Sequence, residues 1–208
     1  MSSSHTTTPI TTLSHSLSHS LIDSPVGQLA LVTDGQALTG VYMQEHRHTT
    51  VKSWGERVGR REAADVVQCA GKQLDEYFTG ERQDFDLPLA AVGTEFQRAV
   101  WAGLREIPYG ETWTYGQLAA HLGRAGASRA VGLANGRNPI SIIVPCHRVI
   151  GADGSMTGYG GGVPRKEQLL ALERGGQLPL DPGGQSQTDD QLPIEWGIHD
   201  HSQPESAT

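Results

Sequence analysis

Residues Asn138–Ile150 read Asn-Pro-Ile-Ser-Ile-Ile-Val-Pro-Cys-His-Arg-Val-Ile, and the rest of the chain can be placed around them. The apolar run Ile140–Val144 has the composition of a buried strand and delivers Pro145, Cys146 and His147 at its end. Cysteine is a nucleophile only as thiolate, and a nearby imidazole is one way to lower its pKa. Adjacent side chains of an extended strand point to opposite faces, so the pair can serve one site only at a bend. Pro145 supplies the expected bend. The histidine then needs an orienting carboxylate, and Glu173, late in the last predicted helix, is the candidate. A carboxylate near the negative pole of a helix is mildly unfavourable, which hints at a second role. A buried structural cysteine beside an incidental histidine is the plain alternative. No second Cys or His lies at ligand spacing, so no metal is expected.

Downstream, glycines 151, 154, 158, 160, 161 and 162 surround Tyr159, a loop whose bare backbone could form a pocket wall. A helix opens at Pro164, suited to a first helical turn, and stops at Gly175-Gly176. Upstream, Thr94-x-x-Gln97 and Thr114-x-x-Gln117 both have capping-box form. The first precedes Phe96, Val100 and Leu104 at helical spacing; the second precedes Ala119 and Leu122. Ile107–Gly110 breaks the first helix, and Gly123–Gly126 turns the second into a third over Ala127–Ala134. Two short helices joined by a glycine-containing turn form a helix-turn-helix pattern. In the third helix Arg129 stands among Ala127, Ala130, Gly132 and Ala134. Small residues leave a face flat enough to approach a sugar-phosphate backbone, with one long cation protruding.

The first part of the chain has a different pattern. Leu21–Ile22, Leu29–Thr33 and Leu38–Met43 read as short strands, with Asp34-Gly35 as a hairpin turn. Ala63–Phe78 is helical in period, placing Val66, Cys69, Ala70, Leu74 and Tyr77 on one face, with Cys69 expected in the core. Residues 1–20 hold twelve Ser or Thr and read as a disordered leader. The expected organisation is leader 1–20, α/β domain 21–90, helical domain 94–176 and disordered tail 177–208.

The 208 residues carry a net charge of −7, which excludes coating nucleic acid by bulk charge. That average hides an asymmetry. Between Thr94 and Gly176 nine basic residues face six acidic ones, a net of +3, so the remainder is −10. A basic module in an acidic chain admits a polyanion as partner. Two cysteines cannot build a disulfide framework, and neither a membrane span nor a signal peptide is apparent, so a cytoplasmic protein is expected.

Taken together, Asn138-Pro139, the Ile-Ile-Val run, Pro145-Cys146-His147-Arg148 and the Tyr159-Gly-Gly-Gly loop resemble the O6-alkylguanine-DNA alkyltransferases. The similarity is continuous from about Thr94 to Glu173; residues 21–90 resemble the family in layout only. The resemblance implies a two-domain α/β (α+β) fold. A small ribonuclease-H-like domain would precede a helical, winged-helix-like domain with the helix-turn-helix. It implies direct reversal of alkylation damage, irreversible and once per molecule, on O6-alkylguanine in double-stranded DNA, with O4-alkylthymine left open. Cys146 would accept the alkyl group, His147 would be its water-mediated base, Glu173 would orient the histidine, and Asn138 would brace the turn. Arg129 would replace the extruded base, in a helix that enters the minor groove. Tyr115 would rotate the 3′ phosphate and protonate guanine N3. Tyr159, Val149 and Gly160 would line the pocket, where Gly160 lacks the hydroxyl some members carry. No cofactor, metal or membrane is implied, and the protein is expected to be a monomer, with cooperativity on DNA open. Two rival classes remain at this point. A helix-turn-helix regulator would need no Cys-His pair, and a Cys-His-Glu acyl hydrolase would need no DNA-facing helix.

Overall fold

The computed structural model describes residues 16–44 and 54–178. The expectations for residues 1–15 and for the tail beyond 178 lie outside them. Strands β1 (Ser18–Ile22), β2 (Leu29–Thr33), β3 (Leu38–Met43) and β4 (Glu56–Arg57) form one sheet in the order β3-β2-β1-β4. β1 therefore begins inside the span read as leader. Ser18 and Ser20 escape a reading based on apolar runs, but their backbone pairs fully with β2, Ser18 opposite Thr33 and Ser20 opposite Leu31. β4 is the one parallel neighbour, pairing Ser18 with Glu56, and its exposed Glu-Arg pair gave no sequence signal.

Helix α1 (Asp65–Phe78) lays Val66, Val67, Ala70, Leu74 and Tyr77 on the sheet. Cys69 is exposed, correcting its assignment to the core. The buried face of the helix leaves Cys69 at its margin and includes Gln73 instead, because the Asp86 backbone satisfies both ends of the Gln73 amide.

The second module follows with α2 (Glu95–Leu104), α3 (Tyr115–His121), α4 (Ser128–Gly136) and α5 (Val163–Glu173). Both predicted capping boxes form: Thr94 and Gln97, and Thr114 and Gln117, exchange hydrogen bonds reciprocally. A two-stranded parallel pair, β5 (Trp113–Thr114) with β6 (Val149–Ile150), ties the start of α3 to the residues after His147.

The two modules share one hydrophobic core, in which Leu38, Met43, Leu74 and Tyr77 meet Leu104, Ile140, Val144 and Leu169. The free edge of β3 is covered from the second module and the linker. Val41 donates to Pro139 and accepts from Ser141, while Leu38 exchanges hydrogen bonds with Pro88 and Ala90. An edge strand covered this way cannot template further pairing. It also fixes the start of the segment that carries Cys146.

Candidate active site and nucleic-acid face

Ile140–Val144 is buried but is not the strand expected of it; it is a tight turn in which Ile142 has φ +71°. A β-branched residue in that region is strained by roughly 1–3 kcal/mol, so surrounding contacts must impose it. Asn138 supplies them. Its Oδ1 accepts from the Ile140 amide at 3.0 Å, and its Nδ2 donates to the Val144 carbonyl at 2.8 Å and to Cys146 Sγ at 3.1 Å. One amide thus shapes the turn and holds the sulfur at its end. Cys146–Arg148 then form a single 3-10 turn, the bend that lets neighbouring side chains serve one site.

His147 and Glu173 are fully buried, with Nε2 and Oε1 2.7 Å apart. Glu173 is the hub of the region. Oε1 also accepts from the Tyr77 hydroxyl at 2.8 Å and from Arg148 Nη2 at 3.0 Å. Oε2 accepts from Arg148 Nε at 2.8 Å and from the Gly110 amide at 3.1 Å. Gly110 has φ +78°, and a Cβ there would stand 2.9 Å from the Glu173 carbonyl, so only glycine brings its amide this close. Arg148 completes its fork on the Ile107 carbonyl at 2.6 Å and lies over the Tyr109 ring. The unfavourable position of Glu173 at the end of α5 is thereby explained.

Burial alone would raise the Glu173 carboxyl, but the hydrogen bonds and charges of His147 and Arg148 outweigh it and hold the group down at about 2. Glu173 is therefore an acceptor only, so His147 Nε2 carries the hydrogen and Nδ1 is left with a lone pair. Nδ1 has no hydrogen-bond partner among the described protein groups. Burial lowers the His147 pKa against the pull of Glu173, so the ring is neutral at neutral pH and adds its charge beside Glu173 only in acid. Burial likewise raises the Cys146 thiol, opposed by the Asn138 amide and then by the charge of Lys166. Lys166 is fully buried, donates to the Val149 carbonyl at 2.6 Å and the Thr157 carbonyl at 3.0 Å, and is brought down to about 8 by burial.

Tyr159 is buried, edge-on to the His147 ring at 6.5 Å, and its hydroxyl has no hydrogen-bond partner among the described protein groups. Gly160, the next residue, is buried as well, and so is Val149 at the start of β6. Tyr115 is half-buried at the start of α3 and donates to the Thr157 carbonyl at 3.1 Å; its ring lies against Gly132 of α4. It links the glycine loop to the helix-turn-helix.

On α4, Arg129 and Ala130 are exposed, Gly132 is half-buried, and Ala127 is the half-buried residue that precedes the helix. Ala134 does not belong to that face. It is 3% exposed, and its carbonyl accepts from Trp101 Nε1 at 2.9 Å. A helix of small residues offers no apolar contrast, so periodicity could not separate its two sides. Leu133 takes the outer position instead, 69% exposed, four residues after Arg129.

Tyr77, Arg148 and Lys166 were given no site role from sequence. A signal existed for Lys166 and Glu173: both fall on the α5 stripe with Leu169 and Leu170, where a charge must be paired or satisfied. Among the described residues, no three His, Cys, Asp or Glu side chains gather to hold a metal, and no helix is long and apolar enough to cross a membrane.

Comparison with known proteins agrees with this layout. Residues 17–91 match the family described as 6-O-methylguanine DNA methyltransferase, ribonuclease-like domain, and residues 95–175 match its DNA binding domain. A methylated-DNA–protein-cysteine methyltransferase of Mycolicibacterium paratuberculosis is 51% identical over 153 residues, 74% of this chain and 90% of that protein. One from Methanosarcina acetivorans is 50% identical over 157 residues, covering 74% and 97%. The crystal structure of Mycobacterium tuberculosis OGT in complex with DNA superposes with a TM-score of 0.68 at 49% identity, covering 76% of this chain and 93% of that one.

Proposed function

The chain belongs to the 6-O-methylguanine DNA methyltransferase family, and from that premise we propose that it repairs alkylated DNA by direct reversal, with Cys146 as the acceptor. The observation that carries the assignment is the pair of buried contacts on either side of that sulfur. Glu173 fixes the His147 tautomer, and Asn138 holds Sγ at the end of a strained turn.

In this reading the Cys146 thiol gives its proton through a water to His147 Nδ1, whose lone pair the Glu173 hydrogen bond leaves free. Sulfur then attacks the alkyl carbon, the C–O6 bond breaks, and its electron pair leaves with guanine. Tyr115, at the junction of α4 and the glycine loop, donates to the leaving base and offsets the charge developing there. The product is a thioether without a carbonyl for water to attack, so each molecule acts once. Tyr159, Val149 and Gly160 form the wall against which the base rests.

The alkyl carbon is inaccessible inside stacked duplex, so the nucleotide must be extruded. The exposed side of α4 suits the minor groove. Arg129 can occupy the vacated stack while Ala130 allows close approach, and Ala127 and Gly132 keep the flanks low. The net +3 of residues 94–176 supports attraction to phosphate that weakens with salt. We assign a monomeric protein acting in the cytoplasm, the compartment that suits its reduced cysteines.

Intact-mass measurement after incubation with O6-methylguanine duplex tests this. One methyl group per chain, mapped to Cys146 and lost in Cys146→Ser, is the expected result. Continued turnover with excess lesion, or mass on any other residue, would overturn it.

A further inference from the structure

Arg165 lies in the first turn of α5, beside Pro164, and its guanidinium meets three backbone carbonyls. Nε donates to Val26 at 2.9 Å, and Nη1 donates to Gln44 at 3.1 Å and to Gly161 at 2.9 Å. Val26 lies in the bend between β1 and β2, and Gln44 follows β3, so both belong to the first module. Gly161 belongs to the glycine loop, two residues after Tyr159. The planar fork of an arginine meets these acceptors from two separate nitrogens, whereas an ammonium would have to gather them around one. A second contact acts at the same place: Met43, the last residue of β3, occupies the position a Cβ on Gly161 would need, with the Tyr159 ring 3.0 Å from that position. The charge of Arg165 also acts on the Tyr159 hydroxyl, although burial dominates there and holds that group well above its ordinary value.

We propose that Arg165 is a positioning residue for the substrate pocket. By pinning the Gly161 carbonyl to Val26 and Gln44, it makes the first module set how far the Tyr159–Gly162 wall stands from Cys146. That distance decides how large an alkyl group fits. The inference rests on Cys146 being the alkyl acceptor. With Arg165 removed, Gly161 loses its anchor and Met43 alone presses on a wall free to move outward.

The test compares single-turnover transfer from O6-methylguanine and O6-benzylguanine placed in the same duplex, because their rate ratio cancels DNA binding and base extrusion. Arg165→Met should move the benzyl-to-methyl ratio about tenfold toward benzyl, mostly by slowing methyl transfer through lost alignment. Arg165→Lys, which keeps the charge but not the fork, should move it part of the way and serves if the methionine variant fails to fold. Melting curves measured alongside report stability. A ratio that stays at the wild-type value, whatever the loss of stability, or that moves toward methyl, overturns the proposal. A wild-type protein that transfers neither group to Cys146 would instead overturn the functional reading beneath it.

Discussion

Glu173 and Arg129 are both charged residues of the second module, and they occupy opposite surroundings. Glu173 is sealed from water and accepts hydrogen bonds from Tyr77, Gly110, His147 and Arg148. Arg129 stands exposed on α4 beside Ala130, with Leu133 one turn away. A buried carboxylate is tolerable only when every lone pair is used, so the hub is rigid and cannot lose one partner without exposing the others. An exposed arginine forgoes little in the free protein and keeps its contacts for a partner. In the function proposed, the chemistry is thus prepared in advance, whereas recognition is completed on binding. This difference predicts that damage to the hub reaches both stability and rate, while damage to the face of α4 reaches only one class of substrate.

The largest effect should come from Glu173→Gln. Removing the charge strands the buried Arg148 guanidinium and unpairs Tyr77 or His147. Denaturant unfolding should show a loss of about 3–5 kcal/mol, and transfer should slow by about 10²–10⁴-fold. The acid limb of stability sharpens the point. Glu173 has a folded pKa of about 2, below its ordinary 4.5, so its contribution is full above 4.5 and is lost as pH falls toward 2. Wild type should lose stability through that window more steeply than Glu173→Gln does.

Arg129→Ala should come next. Base extrusion costs a few kcal/mol, so repair in duplex should slow at least about tenfold, while reaction with free O6-benzylguanine stays within about twofold. Equal losses on both substrates would break the comparison by making Arg129 part of the fold. Leu133→Ala should follow the same pattern more weakly, since it removes apolar contact but no charge. The smallest effect is that of Cys69→Ser. With the side chain at the surface of α1, melting and transfer should both match wild type.

The two regions also differ in how far the sequence revealed them. The capping boxes at Thr94 and Thr114 and the breaks at Pro108 and Gly123–Gly126 are local chemistry, and the helices follow from them. Cys146, His147 and Glu173 stood out in the sequence because a thiol, an imidazole and a carboxylate at the end of an apolar helix are distinctive residue types, and the structure pairs His147 with Glu173. Tyr77 was not, since an apolar stripe hides one hydroxyl among its carbons, and its partner lies 96 residues away. Arg148 entered the sequence reading as the end of the Pro145–Arg148 motif but with no role, because only the fold closes its fork on Glu173. Ala134 was placed on the outer face, and Leu133 was not, because a nearly uniform helix gives no period to read. Strand β1 extended to Ser18 because backbone pairing with β2 ignores the polarity of the side chain.

The pH dependence of transfer bears most directly on the claim that Glu173 presents His147 to Cys146 as a neutral base. Single-turnover rates on free O6-benzylguanine, measured across pH, avoid any contribution from DNA binding. His147 is held below its ordinary 6.5, so the wild-type rate should persist through neutrality and fall only once pH drops beneath that value. In His147→Ala that acid limb should vanish, the neutral rate should drop steeply, and activity should return only as rising pH ionises the Cys146 thiol, which burial holds above its ordinary 9.0. Superimposable profiles for the two proteins would contradict the account.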